Sequence, residues 1–133
     1  MKNLINKYFT NLKNTINKLK LNEIIDFMDI LTTAKNNSNN IFIMGNGGST
    51  STTSHFCCDF NKCASYQKKD KRFKFICLNN NFATMMAYAN DVSYHDIFVE
   101  QLKNFLNPND VAIGISGSRN SKHVLKVNEY ANF

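Results

Sequence analysis

The sequence predicts an α/β fold: three layers, with a parallel sheet flanked by helices, led by a pair of N-terminal helices. Three observations point there. Short apolar runs recur at 41–44, at 73–78 with Lys74 as the one interruption, and at 111–115. Each is followed by a helical pattern, and the first and last run into loops rich in glycine or serine. Apolar runs of this kind suit parallel strands covered on both faces, joined by right-handed crossovers.

In residues 3–19, Leu4, Ile5, Tyr8, Phe9, Leu12, Ile16 and Leu19 recur at spacings of three and four, which predicts an amphipathic helix. A second helix is expected from Asn22 as N-cap, with Ile24, Ile25, Phe27, Met28, Leu31 and Ala34 buried. Glu23 and Asp26 fall near the positive end of its dipole, and the polar run 36–40 ends it. Ile41 to Met44 is the first strand. A helix is expected from Ser49 to about Ala64, a second strand from Phe73 to Leu78, and a short helix from Phe82 to Ala89. Another follows from Asp96 to Leu106, with Ile97, Phe98, Leu102 and Leu106 inward. After Pro108, the only proline, Val111 to Ile115 is the third strand, and a serine-rich turn leads to a helix starting near Ser121. Residues 1–35 are thus expected to be a helical pair belonging to the same domain as 36–133. The last helix runs to the chain end without a capping residue, and three parallel strands leave an exposed edge. The sheet is therefore expected to be incomplete and the chain cut short.

At 133 residues, with 43% hydrophobic and 20% charged residues, the chain has the composition of one globular domain rather than a disordered segment. No apolar run approaches the length of a membrane span, and polar residues interrupt the N-terminus where a signal peptide needs an apolar core. The expected compartment is the cytoplasm. Cys57, Cys58, Cys63 and Cys77 show no C-x-x-C spacing, which favours reduced thiols over a disulfide or zinc site. The net charge of +6 collects on the N-terminal segment and on the run Lys68, Lys69, Lys71, Arg72, Lys74. No nucleic-acid-binding motif accompanies that run, so a solvated loop is preferred to a nucleic-acid surface. A basic surface also draws anionic metabolites.

In open α/β sheets the ligand sits beyond the carboxyl ends of the strands. Two loops reach that edge: Gly45-Asn46-Gly47-Gly48-Ser49 after the first strand, and Ser116-Gly117-Ser118-Arg119-Asn120-Ser121 after the third. Each opens into a helix, where free backbone N–H groups and hydroxyl donors suit a phosphate or a sugar. Thr50 occupies the last glycine position of G-x-G-x-x-G, and neither loop has G-K-[ST], so NAD and ATP are disfavoured.

The combination of "GNGGS" after an apolar strand, "HFCCDF" on the next helix, "AND" mid-chain and "GISGSRNS" after a later strand resembles the sugar isomerase (SIS) domain, a flavodoxin-like fold. Within it, the chain is similar to the phosphoheptose isomerases over nearly its whole length. That resemblance implies interconversion of sedoheptulose 7-phosphate and a heptose 7-phosphate, a step towards the heptose precursors of lipopolysaccharide. It assigns substrate contacts to Asn46, Gly47, Gly48, Asn90 and Asp91, and the sugar phosphate to Ser116, Gly117, Ser118 and Ser121. His55 matches a histidine that binds zinc in metal-containing members, and Asp59 matches a catalytic glutamate that also binds that metal. Their i, i+4 spacing places both on one helix face.

Isomerisation through an enediol needs a base within hydrogen-bond reach of the migrating proton. Asp59 is one methylene shorter than glutamate, and a misplacement of about 1 Å costs roughly a hundredfold in rate. Arg119 stands where the family usually has glycine, so the guanidinium either adds a phosphate contact or obstructs the pocket. The family carries a glutamine and a second catalytic histidine on a late helix, beyond Phe133. His95 and His123 match no catalytic position and are expected at the surface or in turns. The resemblance further implies a homo-oligomer, or a longer SIS partner supplying what this chain lacks. A non-catalytic phosphosugar-binding or docking module is the alternative.

Overall fold

The computed structural model describes residues 1–118 and 120–131, which form two compact units, 1–30 and 31–133. The first unit holds α1 (Lys2–Ile16) and the start of α2 (Leu21–Asn37). Helix α2 begins one residue before the expected cap, and Glu23 in its first turn pairs with Lys20 at 2.7 Å. The apolar stripe of α1 is exposed along its length, as are Ile24, Ile25, Phe27 and Met28, which were expected to be buried. Periodicity marks an apolar stripe without saying what covers it.

The second unit is built on a three-stranded parallel sheet of order β2-β1-β3, with β1 (Ile41–Gly45) between β2 (Phe75–Cys77) and β3 (Val111–Ile115). Ile41 pairs with both Phe75 and Val111, and Gly45 pairs with Ile115. Because successive side chains point to opposite faces, β1 feeds two cores. Phe42 and Met44 join Leu78, Ile97, Phe98, Leu102 and Val127. Ile41 and Ile43 join Leu31, Ala34, Phe75 and Cys77. Every β1 residue is buried, which is why its sequence shows no polar alternation.

Helix α3 (Gly48–Cys58) continues as a single π turn over Asp59–Cys63, where one α-helix to Ala64 was expected. The wider turn begins at Asp59, whose carbonyl accepts from Ala64 N–H at 2.8 Å. Phe60 stacks on Phe56 at 4.8 Å and meets Phe73 at 4.9 Å and Phe75 at 4.7 Å. Strand β2 is shorter than the apolar run 73–78. Asn61 occupies the backbone of Phe75, accepting from its N–H at 2.9 Å and donating to its carbonyl at 2.8 Å, so a side chain covers the sheet edge. Residues Leu78–Asn80 turn into a 3-10 helix, and α4 (Phe82–Asp91) follows with Asn81 as cap. The expected helix 96–106 is divided into a 3-10 turn at Tyr94–Asp96 and α5 (Val99–Phe105), with Ile97 and Phe98 buried between them. The last helix, α6 (Lys122–Ala131), buries His123 and Val127. No helix among the described residues is long and apolar enough to cross a membrane.

Candidate functional site

Strand β1 delivers its chain to the first loop at Gly45. A Cβ there would lie 2.8 Å from Ser49 Cβ and 3.0 Å from the Ile115 carbonyl, so only glycine lets the two loops approach this closely. Gly47 caps α3 at φ +57°, a conformation that side chains rarely adopt. The turn is closed by Ser49 N–H on the Asn46 carbonyl at 3.0 Å and by Thr50 Oγ1 on the Gly45 carbonyl at 3.0 Å. Strand β3 delivers the second loop beside it. Ser121 starts α6, its carbonyl accepting from Val124 and Leu125 N–H at 3.0 Å each. Ser116 and Ser118 hold their Oγ atoms 3.4 Å apart, and Ser118 Oγ accepts from Asn120 N–H at 3.3 Å.

The two loops meet. Asn46 Nδ2 donates to Ser121 Oγ at 3.5 Å, and a hollow of about 370 Å³ opens between them. Asn46 and Ser49 line it from the first loop; Ser116, Gly117, Ser118 and Ser121 line it from the second. Ile115 and His123 complete the lining. Its size falls within the roughly 300–1,000 Å³ of small-molecule sites. Among the described lining residues none is a carboxylate, and amide and hydroxyl donors at two helix starts suit an anion.

His123 is 8% exposed rather than at the surface. Tyr94 meets its ring edge-on at 5.0 Å, and His95 Nδ1 lies 3.4 Å from its Nδ1. Burial holds its pKa below the usual histidine value, against the Tyr94 backbone carbonyl and with help from His95. The signal was present in the sequence: His123, Val127 and Tyr130 are spaced four and three apart, on the inward face of α6.

The sequence profile described as the SIS domain matches residues 6–132. The chain belongs to the SIS domain family. A phosphoheptose isomerase of Helicobacter pylori is 37% identical over 132 residues, covering 97% of this chain and 68% of its own. A probable phosphoheptose isomerase of Thermoplasma acidophilum is 34% identical over 108 residues, covering 81% and 58%. A phosphoheptose isomerase structure from Francisella tularensis superposes with a TM-score of 0.86 at 22% identity, covering 98% of this chain and 69% of that one. Another, from Neisseria gonorrhoeae, gives 0.85 at 21%, covering 98% and 68%. The SIS chain spans about half to two thirds of the length of the curated relatives it matches. The three-layer fold with a parallel sheet is the one these solved structures share.

Not every residue singled out in the SIS sequence reaches the hollow. Gly47 and Gly48 shape the first loop without lining it, and Asn90 and Asp91 end α4, their side chains joined at 2.6 Å. His55 and Asp59 are exposed on α3 and at its end. Among the described residues no three His, Cys, Asp or Glu side chains stand close enough to hold a metal ion. Zinc sites use three or four protein ligands, so His55 and Asp59 do not make one by themselves. Arg119 lies outside the described residues. All four cysteines are free, and burial raises the pKa of the Cys57 thiol, which donates to the Phe75 carbonyl at 3.2 Å. Asn79, which the sequence reading passed over, is 1% exposed and bound to the first loop.

Proposed function

We propose that this SIS chain binds a phosphorylated sugar between its two loops and, as part of a phosphoheptose isomerase, serves the interconversion of sedoheptulose 7-phosphate and a heptose 7-phosphate. The carrying observation is the shared hollow, closed on one side by the Asn46–Ser121 contact. A phosphate dianion needs several donors and no competing carboxylate, and the hydroxyls of Ser116, Ser118 and Ser121 with the Asn46 amide meet that need. The kinship with phosphoheptose isomerases supplies the sugar. Asp59 is the base that moves the proton between adjacent carbons, with Asn90, Asp91, Gly47 and Gly48 around the sugar.

One observation favours a second reading, a phosphosugar-binding module without turnover: Asp59 is exposed and does not line the hollow. Titrating the 133-residue chain with sedoheptulose 7-phosphate while following isomerisation by NMR separates the two. Binding with turnover supports the enzyme, binding alone the module, and no binding removes both.

The same proposal places the chain in a homo-oligomer, or beside a longer SIS partner. The exposed apolar stripe of α1, from Leu4 to Ile16, supports this, since such surface costs free energy in water. Light scattering of the purified chain tests it. Four free thiols suit the reducing cytoplasm.

A further inference from the structure

His95 and His123 form a pair beside the hollow that no step of the proposed isomerisation uses. Their Nδ1 atoms stand 3.4 Å apart. Two N–H groups cannot point at each other across that gap. One Nδ1 therefore carries the hydrogen and the other offers its lone pair, and the pair accepts only one proton beyond neutrality. His123 lines the hollow with Ser116, Ser118 and Ser121, while the rings of Tyr94 and Phe98 stand edge-on to it at 5.0 and 6.4 Å.

The charged groups nearby are engaged elsewhere. On the turn that carries His95, Asp96 is bound to Lys126 at 2.6 Å, and on α5 Glu100 is bound to Lys103 at 2.6 Å. Tyr94 presents its ring and its backbone carbonyl, a dipole that favours the charged imidazole without itself carrying a charge. Strand β3 and residues 45–49 bring no ionisable side chain, and Lys122 on α6 is exposed. Asp91, at the end of α4 against the same turn, is bound to Asn90 at 2.6 Å, and Glu129 on α6 is exposed; among the described residues, no carboxylate is bound to either imidazole. The charge needs an anion in the hollow.

We propose that the His95–His123 pair is a specificity-determining element of this hollow for a phosphate dianion, taking up one proton as the dianion enters. The proposal rests on the phosphosugar reading above. The proton comes from solvent, forms an N–H bond on an imidazole and returns to solvent when the phosphate leaves. The imidazolium at His123 then faces the dianion together with the serine hydroxyls, a charge-assisted contact that a neutral sugar does not induce.

The sign of the linkage follows. The pair binds its proton more tightly in the complex than in the free chain. The gain in affinity is therefore complete below the pKa of the free pair and is lost as pH rises through the pKa of the complex.

Calorimetric titration of the 133-residue chain with sedoheptulose 7-phosphate, in two phosphate-free buffers of different ionisation enthalpy, counts the protons taken up. Wild type is expected to take up more protons at about pH 7.5 than His95→Asn or His123→Asn. Its affinity is expected to fall about tenfold between roughly pH 6.5 and 8.5, while that of the variants follows the ligand's own ionisation. His95 is only half-buried, so His95→Asn decides the matter if His123→Asn fails to fold. Equal proton uptake in wild type and variant, with binding intact, overturns this proposal and leaves the phosphosugar reading standing. Absence of binding by wild type removes both. Stoichiometric Zn²⁺ binding that is lost in His95→Asn also overturns it, because the pair is then a cation site.

Discussion

Asn79 closes two hydrogen bonds onto the backbone of Gly45, accepting from its N–H at 3.0 Å and donating to its carbonyl at 2.8 Å. Strand β2 has ended at Cys77, so a side chain stands in for the next strand residue beside β1. Thr53 Oγ1 adds a bond to Asn79 Oδ1 at 3.2 Å, in a site with almost no solvent. Asn79→Ala strips these partners where the first loop departs, and is expected to cost about 2–4 kcal/mol. Asn79→Asp keeps the acceptor, loses the donor and buries a charge, so it should cost at least as much. Urea unfolding checks both; an unchanged midpoint in the alanine variant would remove the clamp from the account of this loop.

Ser118 is exposed at the rim of the hollow, where its Oγ accepts from Asn120 N–H at 3.3 Å and lies 3.4 Å from Ser116 Oγ. Ser118→Ala should leave the melting temperature in place and weaken sedoheptulose 7-phosphate binding about tenfold, the loss of one hydrogen bond to a charged group. Calorimetry reads the affinity directly. Unchanged affinity counts against the phosphate assignment.

Asp59 stands where the π turn begins, with its carboxylate in solvent. As the proposed base it is needed for proton transfer and not for holding the phosphate. Asp59→Asn is therefore expected to abolish turnover while sparing affinity. Asp59→Glu restores the reach of the family's glutamate and should raise the rate, by up to about a hundredfold if reach is what limits it. NMR exchange measurements on both variants check this, and an asparagine variant that turns over normally would release Asp59 from the role.

The central strand was legible because every residue of β1 is buried: a strand covered on both faces cannot show polar alternation, and Ile41 to Met44 show none. The bounds of β3 were legible for a related reason, with Pro108 before it and Ser116 after it. The second strand was overread. Asn61 spends its side chain on the backbone of Phe75 at its start, and Asn79, just beyond its end, on the backbone of Gly45 in β1; nothing in the sequence distinguishes an asparagine that does this from one in a solvated turn. The π turn at Asp59 was invisible, since it changes hydrogen-bond register without changing composition. In the site, the two loops could be named because glycine and serine are legible as turn chemistry. His123 was missed although its spacing to Val127 and Tyr130 marks an inward face, because a histidine does not count as apolar in a periodicity pattern.

Lys126 Nζ donates to Asp96 Oδ1 at 2.6 Å, and this bond holds the Asp96 carboxyl below its ordinary pKa of 3.8, against a smaller effect of burial. A carboxylate whose pKa is depressed by folding stabilises the fold above its unfolded pKa. That contribution is lost as pH falls through the folded value. Lys126→Met should therefore lower the urea midpoint at neutral pH, and the two curves should converge in acid, once the pH has fallen through the lowered pKa of Asp96. A gap that persists in acid would mean that Lys126 acts through packing.

Two lysines of the basic run have a structural task. Lys71 Nζ donates to the Asn36 carbonyl at 2.6 Å and Lys74 Nζ to the Ser38 carbonyl at 2.9 Å, while Lys35 pairs with Asp70. The carbonyls at the C-terminal end of α2 lack partners within the helix and carry its negative pole, so cations placed there satisfy both. This use competes with nucleic-acid binding, because ammonium groups committed to carbonyls are not available to phosphates. Lys71→Ala is expected to cost about 0.3–1 kcal/mol in urea unfolding. DNA affinity in gel-shift assays is expected to stay at the non-specific level of about 10⁻⁴–10⁻⁶ M with and without the substitution. Tighter, salt-steep binding that disappears in Lys71→Ala with no change in stability would reverse the assignment, since the lysine would then serve phosphates rather than the helix end.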